Sequence, residues 1–326
     1  MSDLIFSINA VLPIVLTVAV GYFIKRIGVI SEDVAKSLNK LVFRVLLPVM
    51  LFNNIYKMKD ISNVSFGYLI YVAAAVAVLF FISLLLSPLM TKERSRRAVL
   101  IQSAFRSNYA LIGIPLAISL VGEGASGAAS LLSAVSIPVF NIFAVVSLAL
   151  FDPSGKRPSV KKVLLGIIKN PLIIGIFAGL LALGIRALFG ALDISWRLYD
   201  ITAIATPIDY LSRSATPLAL IALGAQFNFK ATAGAKREII IGTLLRTLIS
   251  PTVCIGIALL IGRFEAAHYA AFIGVFATPL AVSTVPMTQE MGSDSSLAGQ
   301  LVITTTICSA LSIFLFTYLL KLIGIF

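Results

Sequence analysis

The sequence predicts an all-α polytopic membrane protein with ten transmembrane helices, and three observations support this prediction. Hydrophobic residues make up 59% of the 326 residues and charged residues only 12%, about half the charged share of soluble domains. The chain contains ten apolar segments, which short polar connections separate. Proline and glycine recur at matching positions in its two halves. A chain this apolar excludes an ordinary soluble enzyme, a disordered protein and a small disulfide scaffold.

The apolar segments are predicted to be helices, because a helix satisfies its own backbone hydrogen bonds in lipid. A span needs ~20 apolar residues, so the length of the chain suits ten crossings. Lys25 and Arg26 follow the first segment rather than precede it, so we do not expect a cleaved signal peptide. The predicted spans are 4–24, 36–56, 65–89, 98–121, 127–150, 163–188, 200–226, 239–262, 268–291 and 297–320.

The distribution of basic residues predicts the orientation of these helices. The connections after the odd-numbered spans, with the first turn of the next span, hold 15 Lys and Arg against 6 on the other side. By the positive-inside rule, both termini then lie outside the cell. Most of the net charge of +12 is therefore topological. We expect no nucleic-acid partner, because no helix carries a basic stripe.

The two halves of the chain share a pattern of prolines and glycines. Pro13 and Gly21 of span 1 are eight residues apart, and so are Pro171 and Gly179 of span 6. Related prolines in spans 2 and 7 and in spans 4 and 9 are offset by 169 and 171 residues. Both residue types are common in membrane helices, so one match is weak, but the agreement over several spans indicates an internal repeat.

Each half contains five spans, so two successive copies must cross the membrane in opposite senses. Inverted repeats of this kind are found in many secondary transporters. We predict a first five-helix repeat at residues 1–150, a short cytoplasmic linker at 151–162 and a second, inverted repeat at 163–326.

Spans 4 and 9 are predicted to be broken helices. In span 4, Pro115 removes a backbone donor and pushes Ile114 towards extended geometry. In span 9, Pro279 and Pro286 bracket a short polar stretch, and their spacing of seven residues equals that of Asn108 and Pro115. Two proline kinks covered by neighbouring helices are the alternative.

Broken helices expose backbone groups that have little water around them. The N-terminal end of a half-helix carries partial positive charge and suits an anion, whereas the C-terminal end suits a cation. If the two breaks meet at mid-membrane, they form a crossover in which a small anion can bind.

Four segments of the sequence are similar to segments of one known family. They are Phe105-Arg106-Ser107-Asn108-Tyr109 with Gly113-Ile114-Pro115, Leu47-Pro48 with Phe52-Asn53-Asn54, Ala277-Thr278-Pro279-Leu280-Ala281, and Gly21-Tyr22-Phe23 after Pro13. With them the chain resembles the auxin efflux carrier family over its whole length, especially the bacterial branch. The resemblance implies two inverted five-helix repeats with crossing broken helices 4 and 9, as in the sodium/bile-acid symporter fold.

The resemblance also implies how such a protein is organised and what it carries. Helices 1, 2, 6 and 7 would form a scaffold domain, through which a homodimer is expected, and helices 3–5 and 8–10 a transport domain. Family substrates are small organic anions: auxin in plants, and dicarboxylates proposed for bacterial members. The expected location is the bilayer of a bacterial inner (plasma) membrane.

The candidate anion-binding residues lie at the two breaks and on helices beside them. The Asn108 amide can bind a carboxylate or cap a half-helix. An unpaired Arg106 side chain inside a bilayer costs roughly 2.5–3.5 kcal/mol of free energy. It therefore needs a substrate carboxylate or water as a partner, or it must extend to the membrane interface. The family resemblance implies that Asn53 and Asn54 also face the anion site. The alternative is that they form the polar end of span 2 at the membrane interface. The full set is Asn53, Asn54, Arg106, Ser107, Asn108, Tyr109, Pro115, Asn141, Thr278, Pro279, Ser283, Thr284 and Pro286.

Gln289 and Glu290, one turn beyond Pro286, are candidate ligands for a coupling ion, Na⁺ or H⁺, although they also suit the cytoplasmic edge of a helix. We expect no cofactor and no metal site, because the chain has one His and two isolated Cys.

These features predict a secondary carrier of small organic anions that works by alternating access. A sodium-coupled symporter of the bile-acid type and a channel or sensor on the same scaffold are the alternatives. An enzyme is not expected, since intramembrane proteases need several His or two mid-span Asp. An ATP-driven pump is not expected either, because the phosphate-binding loop motif is absent from the sequence.

Overall fold

The computed structural model describes residues 2–57, 66–122, 124–152, 165, 168–227 and 234–326, and these parts are helical apart from their connections. The predicted linker at 151–162 lies outside the described residues except for its first two positions. In chain order the helices are α1 (Ser2–Arg26), α2 (Glu32–Leu41), α3 (Leu47–Tyr56), α4 (Phe66–Met90), α5 (Arg94–Phe105), α6 (Ile114–Val121), α7 (Gly124–Leu150), α8 (Pro171–Ala191), α9 (Thr202–Gln226), α10 (Lys236–Leu244), α11 (Ser250–Ile261), α12 (Ala266–Phe276), α13 (Thr284–Glu290) and α14 (Ser295–Leu322).

Each predicted span corresponds to one of these helices or to two in succession. Among the described residues, five stretches are long and apolar enough to cross a membrane: α4, most of α7, α8, the α10–α11 stretch and α14. Large apolar side chains also cover the exterior, such as Leu85 at 79% exposure and Leu260 at 88%. The all-helical fold is thus that of a membrane protein, while ten crossings in two inverted repeats stay a prediction.

Three spans contain a widened, π-helical turn just before a proline. These turns are Val42–Leu46, Tyr109–Gly113 and Leu245–Ile249, and the proline follows as the second residue of the next α-helix. Proline lacks an N–H group and crowds the preceding turn, and a π turn makes room for it without ending the helix. The expectation that Ile114 before Pro115 is extended is therefore wrong, because its dihedral angles (φ −66°, ψ −53°) are helical.

The helices pack in close pairs. α1 lies along α9 and α14, α3 along α8, and α4 along α5 and α7, while α12 packs against α6 and α7. α1 and α9 touch through their backbones, since a Cβ atom on Gly224 would lie 1.9 Å from the Val18 carbonyl oxygen. The division of these helices into scaffold and transport domains stays a prediction.

A charged cluster joins α5, α10 and the start of α14 at one end of the bundle. Arg96 forms ion pairs with Glu238 at 3.2 Å and with Asp294 at 3.1 Å. The Ser293 hydroxyl donates to the Ser95 carbonyl at 2.6 Å. These half-buried contacts hold the ends of three helices together.

Candidate functional site

The interrupted spans contact each other where their helices stop. α5 ends at Phe105 and α12 at Phe276, and a non-helical segment follows each. Ser107 and Leu280 pair as an antiparallel bridge, and the Asn108 N–H group donates to the Pro279 carbonyl at 2.8 Å. Each break therefore satisfies backbone groups that the other break leaves free.

Two glycines allow the helices to cross this closely. A Cβ atom on Gly113 would lie 2.8 Å from the Gly274 carbonyl oxygen, and one on Gly274 would lie 2.7 Å from that of Gly113. Any side chain at either position would therefore push α12 away from the turn before α6.

A central cavity lies beside the two breaks. Its volume is about 60 Å³. The breaks supply one wall, and α3, α7, α8 and α9 supply the others. The lining residues are Leu47, Met50, Leu51, Arg106, Ser107, Asn108, Ala110, Ile137, Phe140, Asn141, Leu172, Thr216, Ala219, Ala281, Val282 and Ser283.

The guanidinium group of Arg106 is the positive centre of this cavity. Its side chain is only 1% exposed. It donates to Gln102 Oε1 at 2.7 Å, Asn141 Oδ1 at 2.9 Å and Ser283 Oγ at 2.9 Å, and it contacts Met287 Sδ at 3.2 Å. All four partners are neutral, and within the described ranges Arg106 forms no ion pair. A buried charge without a counter-ion is costly, so the site favours an anion.

Two further polar side-chain atoms at the first break have no hydrogen-bond partner within the described part of the chain. Asn108 is buried, and its Nδ2 atom has no hydrogen-bond partner among the described residues; the same is true of Ser107 Oγ. Asn108 precedes the turn Tyr109–Gly113 without making a side-chain capping bond. Asn108 also lines the central cavity, so its amide lies beside the space in which a ligand would bind.

Other candidates at the breaks point elsewhere. The Tyr109 hydroxyl donates to the Ala129 carbonyl at 2.9 Å, and the Thr278 hydroxyl bonds back to the Gly274 carbonyl at 2.6 Å. Thr284 is buried, and its hydroxyl has no partner within the part of the chain that is described. Of the candidate prolines, Pro279 contributes the carbonyl that joins the breaks, Pro115 is exposed on α6 and Pro286 is buried in α13; none of the three lines the central cavity.

Asn53 lies in a polar cluster outside the central cavity. Its Nδ2 atom donates to Asp209 Oδ1 at 2.9 Å, and the Tyr199 hydroxyl donates to its Oδ1 atom. Lys57 pairs with the same Asp209 oxygen at 2.5 Å. Burial raises the pKa of Tyr199 to about 12, so this phenol stays protonated and remains a donor.

Asn54 lines a wider recess next to the central cavity. This wide recess has a volume of about 540 Å³ and also contacts Arg213 and Pro13. Met50, Ala110 and Thr216 line both the recess and the central cavity. These three side chains therefore separate the recess from the cavity that holds Arg106.

Glu290 and Gln289 lie at the far end of α13 from the cavity. Glu290 forms an ion pair with Arg44 at 3.0 Å, and Gln289 Oε1 accepts a hydrogen bond from Asn39 Nδ2 at 2.8 Å. These two contacts, called the latch below, join α13 to span 2. In the described ranges, no three His, Cys, Asp or Glu side chains come together as metal ligands.

Gln102 and Met287 are partners of Arg106 outside the predicted set of site residues. From the sequence, Gln102 is a possible polar contact, because it lies one helical turn before Arg106, a spacing that brings side chains together on a helix. Met287 comes from the other half of the chain, 181 residues away, and carries no such signal.

Comparison with known proteins indicates a membrane transporter. The sequence profile of a family described as membrane transport protein matches residues 6–317. An uncharacterized transporter of Methanothermobacter thermautotrophicus is 27% identical, over 96% of this chain and 98% of that protein. One of Methanocaldococcus jannaschii is 25% identical over the same shares. Both relatives are archaeal, so the bacterial branch stays a prediction.

Proposed function

Because the chain belongs to the membrane transport protein family, that of the auxin efflux carriers, we propose that it is a secondary carrier of small organic anions. The observation that supports this substrate class is the buried guanidinium of Arg106, which faces a cavity and forms no ion pair among the described residues. A carboxylate that binds there supplies the missing counter-charge.

The groups around the cavity suit a carboxylate. A guanidinium binds a carboxylate through two parallel hydrogen bonds, which are stronger than those between neutral groups. Asn108 Nδ2 offers a further donor, and the turn that begins at Tyr109 directs the positive end of its helical dipole to the same place. The apolar side chains of Met50, Ile137 and Phe140 suit the carbon skeleton of an organic acid.

The geometry also favours alternating access over a continuous channel. The central cavity is enclosed by the two breaks and by α3, α7, α8 and α9, and the wide recess lies next to it on one side. On the other side, α13 leads to the latch, where Arg44 and Glu290 hold span 2 and α13 together. We propose that the latch opens during transport, as the helices of spans 3–5 and 8–10 move against those of spans 1, 2, 6 and 7.

We also propose that the carrier lies in the plasma membrane with both termini outside. The excess of basic residues in the odd-numbered connections supports this orientation. The family resemblance supports a homodimer that forms through spans 1, 2, 6 and 7.

A binding and flux experiment tests the function. Purified protein is screened for thermal stabilisation by monocarboxylates and dicarboxylates, because a ligand that binds the folded state raises the melting temperature. Binders are then tested for counterflow of the labelled anion in proteoliposomes. Arg106→Gln should weaken binding about 10-fold or more, since a hydrogen bond to a charged group contributes about 1.5–3 kcal/mol.

Arg263→Gln is the matched control, because Arg263 is exposed on the connection before α12. Unchanged affinity in Arg106→Gln would contradict the site. Large uncoupled currents in place of counterflow would identify a channel.

A further inference from the structure

A second buried arginine, Arg246, lies outside the central cavity. It belongs to the π turn Leu245–Ile249 between α10 and α11, and its side chain is fully buried. Its Nη2 atom donates to the Val275 carbonyl at 2.7 Å and to the Phe276 carbonyl at 2.5 Å. Arg246 forms no ion pair within the described part of the chain.

The two carbonyls belong to the last residues of α12, where its half-helix stops. The last carbonyls of a helix have no partner inside the helix, and together they carry about half a negative charge. The charge of Arg246 therefore faces the negative end of a helix rather than a carboxylate. Only Nη2 has these partners, and the buried Nε and Nη1 atoms have none among the described residues. Arg106, by contrast, contacts amide and hydroxyl oxygens and lines a cavity.

The same stretch of chain also covers the end of the other half-helix. Ser250, one turn after Arg246, donates through its hydroxyl to the Ala104 carbonyl at 2.7 Å. Ala104 is the last residue but one of α5. The α10–α11 stretch thus caps the C-terminal ends of both half-helices, on the side away from the anion cavity.

In secondary transporters, carbonyl oxygens at the C-terminal ends of broken helices are the ligands that bind a coupling Na⁺ or H⁺. Here a fixed guanidinium group already occupies two of those oxygens. A second cation beside it would be repelled, because the low dielectric of a protein interior strengthens the interaction between like charges.

We infer that Arg246 takes the place of a coupling cation at this break, so that anion binding and transport by this chain need no sodium. This inference rests on the proposed carrier function. The other candidates for ion coupling are already engaged, since Glu290 pairs with Arg44 and Gln289 with Asn39.

The first test uses the full-length wild-type protein without substrate. Its melting temperature is measured in sodium, lithium, potassium and choline chloride at equal ionic strength. We expect the same value in all four salts. A saturable rise that is specific to sodium would overturn the inference, because it would reveal a cation site that Arg246 does not fill.

The second test replaces the built-in cation. Arg246→Ala should lower the melting temperature by roughly 5 °C, because buried carbonyls lose their partner. Millimolar guanidinium or sodium should restore part of this loss, whereas choline, which is too large, should not. Arg44→Ala is the control, since Arg44 is a partly exposed arginine whose loss leaves no buried helix end uncapped. Failure of small cations to stabilise Arg246→Ala would contradict the assignment.

The third test separates this inference from the proposed function. Counterflow of a labelled anion by the wild-type protein should proceed at equal rates in sodium and in choline chloride. Sodium-dependent counterflow would overturn the inference and leave the carrier function standing. Absence of anion binding and counterflow in every salt would overturn the carrier function, and the salt series without substrate would still decide whether Arg246 fills the cation position. That series also stands if Arg246→Ala does not fold.

Discussion

At the residue scale, the two buried arginines differ in what they contact. Arg106 contacts neutral amide and hydroxyl groups beside a cavity and forms no ion pair among the described residues. Arg246 donates to the last two carbonyls of a helix. In our proposal, the first arrangement provides an anion site and the second takes the place of a coupling cation, although both arginines are buried.

Asn141→Asp tests the uncompensated charge directly. Asn141 Oδ1 already accepts a hydrogen bond from Arg106 at 2.9 Å, so the isosteric carboxylate would pair with the guanidinium. We expect the melting temperature to rise and anion binding to fall at least about 10-fold, because the ligand's place as counter-ion is taken. Thermal-shift titration with the anion measures both effects.

Asn170→Asp is the matched control for this change. Asn170 caps the start of α8 through its side-chain oxygen, and aspartate caps a helix equally well, so binding should not change. Normal anion affinity in Asn141→Asp would show that Arg106 does not need an anionic ligand.

At the scale of elements, the interruptions of the helices determine how spans 4 and 9 contact each other. Three π turns accept prolines without a break, whereas spans 4 and 9 stop and restart where their extended segments pair. The close crossing of these two spans depends on Gly113 and Gly274 facing each other.

Gly274→Ala and Gly256→Ala should therefore have opposite effects. A Cβ atom on Gly274 would meet the Gly113 backbone at 2.7 Å, whereas one on Gly256 in α11 meets nothing within 4 Å. Gly274→Ala should lower the melting temperature because the helices must separate. Gly256→Ala should raise it slightly, since alanine in a helix is favoured by about 1 kcal/mol over glycine. Equal effects of the two variants on thermal unfolding would rule out the tight crossing.

Across the whole molecule, the latch contacts span 2 near its start, whereas Asn54 of the wide recess lies near the end of span 2, so the two lie on opposite sides of the central cavity. If the latch has to open during transport, fixing it should stop transport. Asn39 and Gln289 contact each other through the ends of their side chains, so cysteines in the double variant Asn39→Cys with Gln289→Cys can be joined by a short bifunctional methanethiosulfonate reagent. With Cys254 and Cys308 replaced by serine, this cross-link should lower counterflow about 10-fold or more, and a reductant should restore it.

A second cysteine pair controls for cross-linking itself. Ser95→Cys with Ser293→Cys is treated with the same reagent, and these residues contact each other within spans 3–5 and 8–10, which the proposal moves as one unit. This cross-link should leave counterflow unchanged. Full activity of the cross-linked Asn39→Cys, Gln289→Cys variant would contradict the movement.

Much of this architecture could be predicted from local patterns, and the remainder depends on distant contacts. Apolar segments and prolines predicted the helices and the break between Pro279 and Pro286, because lipid and proline act through the local backbone. The break in span 4 lies at Arg106, Ser107 and Asn108, before the predicted proline, since a π turn absorbs Pro115. Sequence spacing could not show that the second half of the chain supplies Arg106 with a partner.

Because the two breaks pair with each other, this part of the structure can form only after both halves of the chain have been synthesised. Ser107 and Asn108 are made long before Leu280 and Pro279, and the Ser283 that contacts Arg106 is 177 residues further along. While the first half waits in the membrane, its open backbone groups and its arginine lack these partners, and each such group costs free energy in lipid. The first half of the chain is therefore an incomplete folding unit, and the proposed anion site forms only once the segment from Pro279 to Ser283 has joined it.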